Sequence, residues 1–504
     1  MKRFVPALFL CFLGIAPAQA GDFLDTRVSF TVADDNVAKG PEETVTGSPS
    51  IPNFQPDSDN RLFFDNFQRR DQGFENLSHL TLYTHEPGFF AGLDTEAALV
   101  LRATVLETGN VVLRDDGSYI RLVGDAGRGD WALTAFPVDA DRFQLGYSYD
   151  IAWGGSGIFR NAQAAPGIRL RYENPLGYAF LGAKTAVGQV DKADGTKELD
   201  TVYGVLAGGG INVLDELRIE GNGGYFYRGT IPKQELRLPV GGQFRTARWE
   251  ALGASAQVAY NVGMPIGTPI DFRLYRNDPL GRQQQFFRAR EYQPGTAVQL
   301  SSEVSVLGQT LQDPEKPRST KIQPAIAADI TARMKIDRVR LQALVVFRTL
   351  SFILFNVPSN PSFVDFPAGA GTNPETFVAA GIDYFFENLH LTPGFIAGLQ
   401  MPAYQTGTAQ AGNNPPDSLG QQTFVFRTPS DVDILAPGEP VRPIFSSKFT
   451  TKWDLSESIA AVGELQASYD ANRRRFAQDS EGIIVRQRED PVIIGFALLL
   501  QARF

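Results

Sequence analysis

The chain ends on a strand that tolerates few surroundings. From Val492 to Phe504, the residues Val492, Ile494, Phe496, Leu498, Leu500, Ala502 and Phe504 share one face at period two, and that face is apolar throughout. The opposite face carries Gly495, Ala497, Gln501 and Arg503. Such a strand needs an apolar medium behind it, either the core of a soluble sandwich or lipid.

The amino-terminal end bears on that choice. Lys2 and Arg3 form a basic start, Phe4 to Gly14 an apolar stretch, and Ala18-Gln19-Ala20 the small-x-small pattern of a signal-peptidase site. Residues 1–20 therefore read as an export signal, with a mature chain from Gly21. Cys11, the only cysteine, leaves with the signal; Leu10 before it is not the small residue of a lipoprotein site. The mature chain is expected to hold no disulfide and no thiol chemistry. Losing Lys2 and Arg3 takes the formal charge from −9 to −11, an acidic balance that argues against nucleic acid as a partner. Beyond the signal no apolar run approaches the ~18 residues of a membrane helix. An exported chain of this kind is either soluble or crosses a membrane as a barrel, where each backbone group pairs with a neighbouring strand.

Alternation recurs along the chain, and helical periodicity is not sustained in it. Val28, Phe30 and Val32 oppose Arg27, Ser29 and Thr31. Phe143, Leu145, Tyr147, Tyr149, Ile151 and Trp153 oppose Gln144, Gly146, Ser148 and Asp150. Val339, Leu341, Ala343, Val345 and Phe347 oppose Arg338, Arg340, Gln342 and Arg348; Ile459, Ala461, Leu465, Ala467 and Tyr469 oppose Ser458, Glu464, Gln466 and Ser468. A wall that is apolar outside and polar inside is only half hydrophobic on average, which agrees with 43% hydrophobic residues beside 49 Gly and 37 Phe.

Connections supply the second signal. Short ones carry turn chemistry: Val138–Asp141, Asn174–Gly177, Val213–Glu216, Lys335–Asp337, Glu387–Leu389 and Asp454–Glu457. Long ones span 34–74, 107–127, 230–247, 350–374, 402–442 and 472–488. Long and short alternate for most of the chain. The terminal strand, ending flush on an aromatic residue, resembles the closing strand of Gram-negative outer-membrane β-barrels. In that superfamily the pattern here formed by Phe496, Leu498, Leu500 and Phe504 is read by the insertion machinery. The resemblance implies an all-β, single-chain antiparallel transmembrane barrel in the outer membrane. Its strand number would be even, 16–20 with a best tally of 20, its loops long and extracellular, its turns short and periplasmic. The stretch 277–320 leaves the tally open, because 283–292 reads as strand or loop. Implied partners are outer-membrane lipid and lipopolysaccharide, periplasmic chaperones and insertion machinery, and other envelope proteins.

If the apolar faces meet lipid, the opposite faces line a lumen. They carry Arg169, Arg171, Arg338, Arg340, Arg348, Asp150, Glu220, Asp329 and Glu464. Arg338, Arg340 and Arg348 share a face and predict a local anion-favouring field; salt-bridged residues that stiffen the wall are the competing reading. Loops 34–74 and 402–442, of 41 residues each, could fold inward or stand outward. Asp57 and Asp59 offer oxygen ligands for Ca²⁺ but lack the glycine and distal glutamate of an EF-hand loop. Catalytic constellations are poor. The only histidines are His79, His85 and His390, and the first two lie ~20 Å apart along one strand. Neither an enzyme nor a cofactor is expected. The sequence points to a channel passing solutes or a polysaccharide through a charged lumen; the alternative is a structural or adhesive barrel of an envelope complex, its pore incidental or plugged.

Overall fold

The computed structural model describes residues 25–34, 75–105, 111–115, 117–141, 143–159, 164–191, 196–231, 247–263, 295–316, 319–356, 363–407, 422–427, 432–456, 458–478 and 484–503. The expected signal, Asp57, Asp59 and Phe504 lie outside them. Among the described residues no helix is long and apolar enough to cross a membrane.

The chain runs through β1 (Asp25–Asp34), β2 (Glu75–Pro87), β3 (Leu93–Val105), β4 (Val111–Asp115), β5 (Tyr119–Asp125), β6 (Asp130–Phe136), β7 (Gly167–Asn174), β8 (Gly177–Asp191) and β9 (Lys197–Leu214). It continues through β10 (Leu217–Thr230), β11 (Arg248–Val262), β12 (Thr296–Gln312), β13 (Thr320–Ile336), β14 (Val339–Arg348), β15 (Gly371–Asn373), β16 (Glu375–Tyr384) and β17 (Leu391–Met401). It ends with β18 (Ala403–Thr406), β19 (Thr423–Phe426), β20 (Val432–Leu435), β21 (Ile444–Asp454), β22 (Ile459–Tyr469), β23 (Arg474–Gln478), β24 (Ile484–Arg488) and β25 (Val492–Arg503).

Nineteen of these form one antiparallel sheet, with β15, β18, β19 and β20 in a small separate sheet and β23–β24 in a hairpin. β4 and β5 pair in tandem along β3, so they fill one wall position and leave eighteen. The sheet closes because β1 pairs with β2 on one edge and with β25 on the other, in an unbroken register from Arg27↔Arg503 to Asp34↔Phe496. Closure removes both edges, so every wall position pairs on both sides.

Alternation sets the faces. On β7, Ile168 and Leu170 point out and Arg169 and Arg171 in; on β14, Leu341 and Val345 point out and Arg340 and Val346 in; on β25, Leu498 and Leu500 point out and Ile493 and Ala497 in. Exposed Val258, Val304, Ile330, Ile382, Phe449 and Leu465 continue the outer band around the wall. A closed sheet with an outer surface this apolar is a barrel in lipid. At one end the strands join by tight turns. Asn174 Oδ1 accepts the Leu176 and Gly177 amides at 2.9 and 3.1 Å, and Asp337 turns the chain at φ 49°. The opposite end carries most of the long connections. One long connection, 263–295, falls at the turn end.

Three expectations change. The wall has eighteen positions, an even number within the expected 16–20 and two short of the best tally. The segment 107–127 is mostly wall: β4 and β5 lie in it, split at Gly117, whose φ of 102° no β-branched residue would adopt and whose amide bonds Asp115 Oδ1. Val138–Asp141 is not a tight turn between strands, and 143–153 is not in the wall. Gly146 and Gly154, at φ 91° and 77°, break the extended path on both sides of a single turn of 3-10 helix at Tyr149–Ile151. The described residues of this connection, 137–141, 143–159 and 164–166, fold into the lumen.

Candidate functional site: the lumen and its constriction

The inward faces place most of the expected charges inside the barrel. Arg171 lies 4.3 Å over the Tyr178 ring and pairs with Glu173 at 2.9 Å; Arg218 approaches the same ring at 5.7 Å. Tyr178 Oη donates to Glu220 at 2.9 Å. Arg169 lies 5.4 Å from the Phe143 ring. Asp329 sits opposite Glu303 in the β12–β13 register, and Arg340 opposite Asp383 between β14 and β16. Glu464 pairs with Lys448 at 3.7 Å.

The arginines at 338, 340 and 348 do not form one bare stripe. Arg338 lies past the end of β13 in the turn and pairs with Glu387 of the next turn, half-exposed. Arg348 Nε bonds Glu375 at 2.8 Å, and its NH1 donates to the Asp150 carbonyl at 3.4 Å. Asp150 belongs to the inward segment rather than to a wall strand.

That segment is held by lumen side chains. Leu145 and Trp153 exchange backbone hydrogen bonds of 2.8 and 2.9 Å, closing its tip. The Glu303 carboxylate accepts the Tyr147 amide at 3.0 Å and the Ser148 amide beside it; Asn222 Oδ1 accepts the Gly146 amide at 3.1 Å. Trp153 Nε1 donates to Ser255 at 2.9 Å. The Lys184 ammonium, fully buried, donates to the Ala140 and Gly154 carbonyls at 2.6 and 3.0 Å, 5.5 Å from the Phe143 ring. Asp139 and Asp141 fix the base of the segment through Ser156. Burial pushes the Asp139 carboxyl up, against the lowering effect of the Ser156 hydroxyl. Burial likewise pushes Asp150 up to about 6, opposed by the Arg348 charge and reinforced by Glu375.

A second connection enters beside it. After β14 the chain makes a one-turn helix, Leu350–Ile353, and buries Leu350, Phe352, Leu354 and Phe355. Farther on, Phe363 meets Trp249 edge-on at 5.0 Å, and the Gln312 amide donates to the Phe363 carbonyl at 2.9 Å. The two segments meet in an aromatic knot toward the loop end of the lumen: Trp153 lies edge-on to Phe226 at 5.8 Å and to Phe355 at 6.3 Å, with Phe159 against Phe226 at 6.1 Å. The inward-folded constriction is thus built from 137–166 and part of 350–374. In 402–442 the described residues instead form the small sheet of β18 to β20, and 35–74 lies outside the described residues.

The lumen wall is polar and on balance basic. Along the whole wall, the buried charges among the described residues are nine cations (Arg121, Arg169, Arg171, Lys184, Arg228, Lys335, Arg340, Lys448 and Lys452) against six acids (Glu96, Glu220, Glu303, Asp329, Glu375 and Asp383). Among the described residues no group of three or more His, Cys, Asp or Glu is placed to hold a metal ion. Arg228, Lys184 and Glu375 went unremarked in the sequence, although Arg228 continues the inward row Glu220, Asn222, Phe226 at period two.

A closed wall, an apolar outer band and an inward-folded connection make this a transmembrane β-barrel with a narrowed lumen. No protein-family model matches the chain, and no curated protein matches it by sequence. Among solved structures it is similar to the outer membrane protein OprD from Pseudomonas aeruginosa, with 8% identity over 96% of this chain and 93% of that one and a TM-score of 0.43. It is similar to OccAB3 from Acinetobacter baumannii, with 8% identity over 96% and 98% and a TM-score of 0.45. It is also similar to OmpT, an outer membrane protein of Vibrio cholerae, with 7% identity over 95% and 96% and a TM-score of 0.33.

Proposed function

We propose that the protein is an outer-membrane channel for small solutes, with a preference for anions. The observation that carries this reading is the lumen: a wall of eighteen positions, the size of barrels that enclose a water-filled channel, is narrowed by two inward segments, and among the described residues its buried wall charges are nine basic to six acidic. Rings of charge act on ions over short range, because salt screens more distant charge over ~10 Å at 0.1 M. The local basic excess therefore outweighs the −9 formal charge of the whole chain. Arg169, Arg171 and Arg340 are the proposed lumen cations, and Glu220, Asp329 and Glu464, the last paired with Lys448, are the proposed lumen acids among them. The aromatic knot narrows the loop end of the lumen, which favours small solutes over a polysaccharide. The surrounding partners would be outer-membrane lipid and lipopolysaccharide outside, chaperones and insertion machinery during assembly, and other envelope proteins.

Purified barrel in a planar bilayer under a salt gradient tests this. A reversal potential on the anion side, moved toward cations by Arg169→Gln with Arg171→Gln and most strongly at low salt, supports the proposal. A cation-side potential removes the anion preference. The absence of any conductance removes the channel and favours the structural barrel.

A further inference from the structure

One wall residue of the lumen touches both inward segments. Arg228, on β10, is buried. Its Nε donates to the Ile158 carbonyl at 2.6 Å, in the segment 137–166. Its NH1 donates to the Phe355 carbonyl at 3.0 Å and its NH2 to the Asn356 carbonyl at 3.1 Å, both in the segment that follows β14. The guanidinium lies 3.6 Å over the Trp249 ring, and Trp249 in turn packs on Phe363, farther along that second segment. NH1 also donates to Gln309 at 3.1 Å; Gln309 donates to Gln323 at 2.9 Å, and Gln323 to Asp365 at 2.7 Å. A single polar line thus runs from the first segment to the far end of the second.

The acceptors in contact with this buried cation are neutral oxygens. Such burial is costly, and the carbonyls and the indole face offset it. An apolar side chain would avoid that cost. What it could not do is present a planar fork of donors to two chain segments at once, and neither could lysine, a point charge with three donors.

We infer that Arg228 couples the two inward segments into one gate, so that they leave and re-enter the lumen together. The inference rests on the channel reading for its functional meaning, but its structural content can be tested without conductance. Hydrogen exchange of the assembled, heat-modifiable barrel is measured for 152–159 and 350–356 in the parent, Arg228→Lys and Arg228→Met. Both variants should speed exchange in both segments, by about tenfold or more for the loss of hydrogen bonds to a charged donor, while the wall strands stay protected. A Cβ at Gly157 would stand 3.8 Å from Asn356 Nδ2, so Gly157→Cys with Asn356→Cys can tie the segments directly. Oxidised, this pair should restore slow exchange to Arg228→Met. In bilayers the parent should gate in single full steps, Arg228→Met should add intermediate levels, and the cross-link should remove them. Acceleration in one segment alone, in neither, or in Arg228→Met but not Arg228→Lys would overturn the coupling role. A parent that never conducts would sink the channel reading and leave the exchange result to decide the coupling.

Discussion

The strand β22 and the segment 143–153 carry the same pattern, apolar at every second residue over eleven residues, and end in opposite places. On β22, Leu465 and Tyr469 are 55% and 48% exposed on the outer wall; in the segment, Leu145 and Trp153 are 0% and 4% exposed inside the lumen. The difference lies in where the backbone finds its partners. β22 pairs along its length with β21 and β25, so its apolar face is free to meet lipid. The segment has one backbone bridge, Leu145 with Trp153, and local backbone bonds from Phe143 and Ile151, and gives its Gly146, Tyr147 and Ser148 amides to Asn222 and Glu303. Alternation reports that one face is buried; hydrogen-bond partners decide against what.

The contrast can be broken at its aromatic anchor. Trp153→Ala removes the ring that meets Phe226 and Phe355 and the donor to Ser255, and should cost the docked segment about 3–5 kcal/mol. Hydrogen exchange should accelerate across 143–159 while β22 stays protected. Equal acceleration of the wall would mean that the segment and the wall share one unfolding unit.

The next effect lies on the wall. Leu498→Arg or Val345→Arg should cost about 2–4 kcal/mol near the bilayer midplane. Gln466→Arg on the neighbouring β22 and Gln342→Arg on β14 itself, both facing the lumen, should be far milder. Urea unfolding in bilayers measures both pairs, and equal losses would reverse the assigned faces.

Glu303→Gln separates the two regions by charge. It replaces a carboxylate that accepts the Tyr147 and Ser148 amides with an amide that can accept through only one oxygen. Docking should weaken by about 1.5–3 kcal/mol, read as faster exchange at 146–148 with global unfolding unchanged.

The smallest expected effect is pH. Asp150 is held at about 6 in the docked segment against an ordinary value of 3.8. The docked state therefore binds more protons between those values, so docking is firmest below about 4, weakens as pH rises, and has lost this contribution above about 6. Arg348, Glu375 and Asp329 are the charged groups facing Asp150 from the wall. Asp150→Asn should abolish the dependence in exchange measurements from pH 4.5 to 7.5.

Most of the wall was legible because its requirements are local. Period two sets the faces, Asn174 and Asp337 supply turn chemistry at the strand ends, and the even strand number follows from both termini lying at one end. Within β3 to β5 legibility failed for a local reason, since the kink at Gly117 mimics a loop. In the lumen it failed for a non-local one. Arg338 and Arg348 share a strand face in the sequence, but Glu387 and Glu375, which bind them, come from a later turn and a later strand. Arg228 gains its meaning from carbonyls 70 residues before it and 127 after.

Tryptophan quenching by lipids brominated in their acyl chains tests the central claim most directly. The chain has four tryptophans, and two of them, Trp153 and Trp453, mark the two regions: Trp153 at 4% exposure in the lumen, Trp453 at 51% on the outer wall. Variants that keep only one of the pair, reconstituted in such lipid, should differ sharply, with Trp453 strongly quenched and Trp153 bright. Trp153 quenched as strongly as Trp453 would put 143–153 back in the wall and contradict an inward-folded constriction.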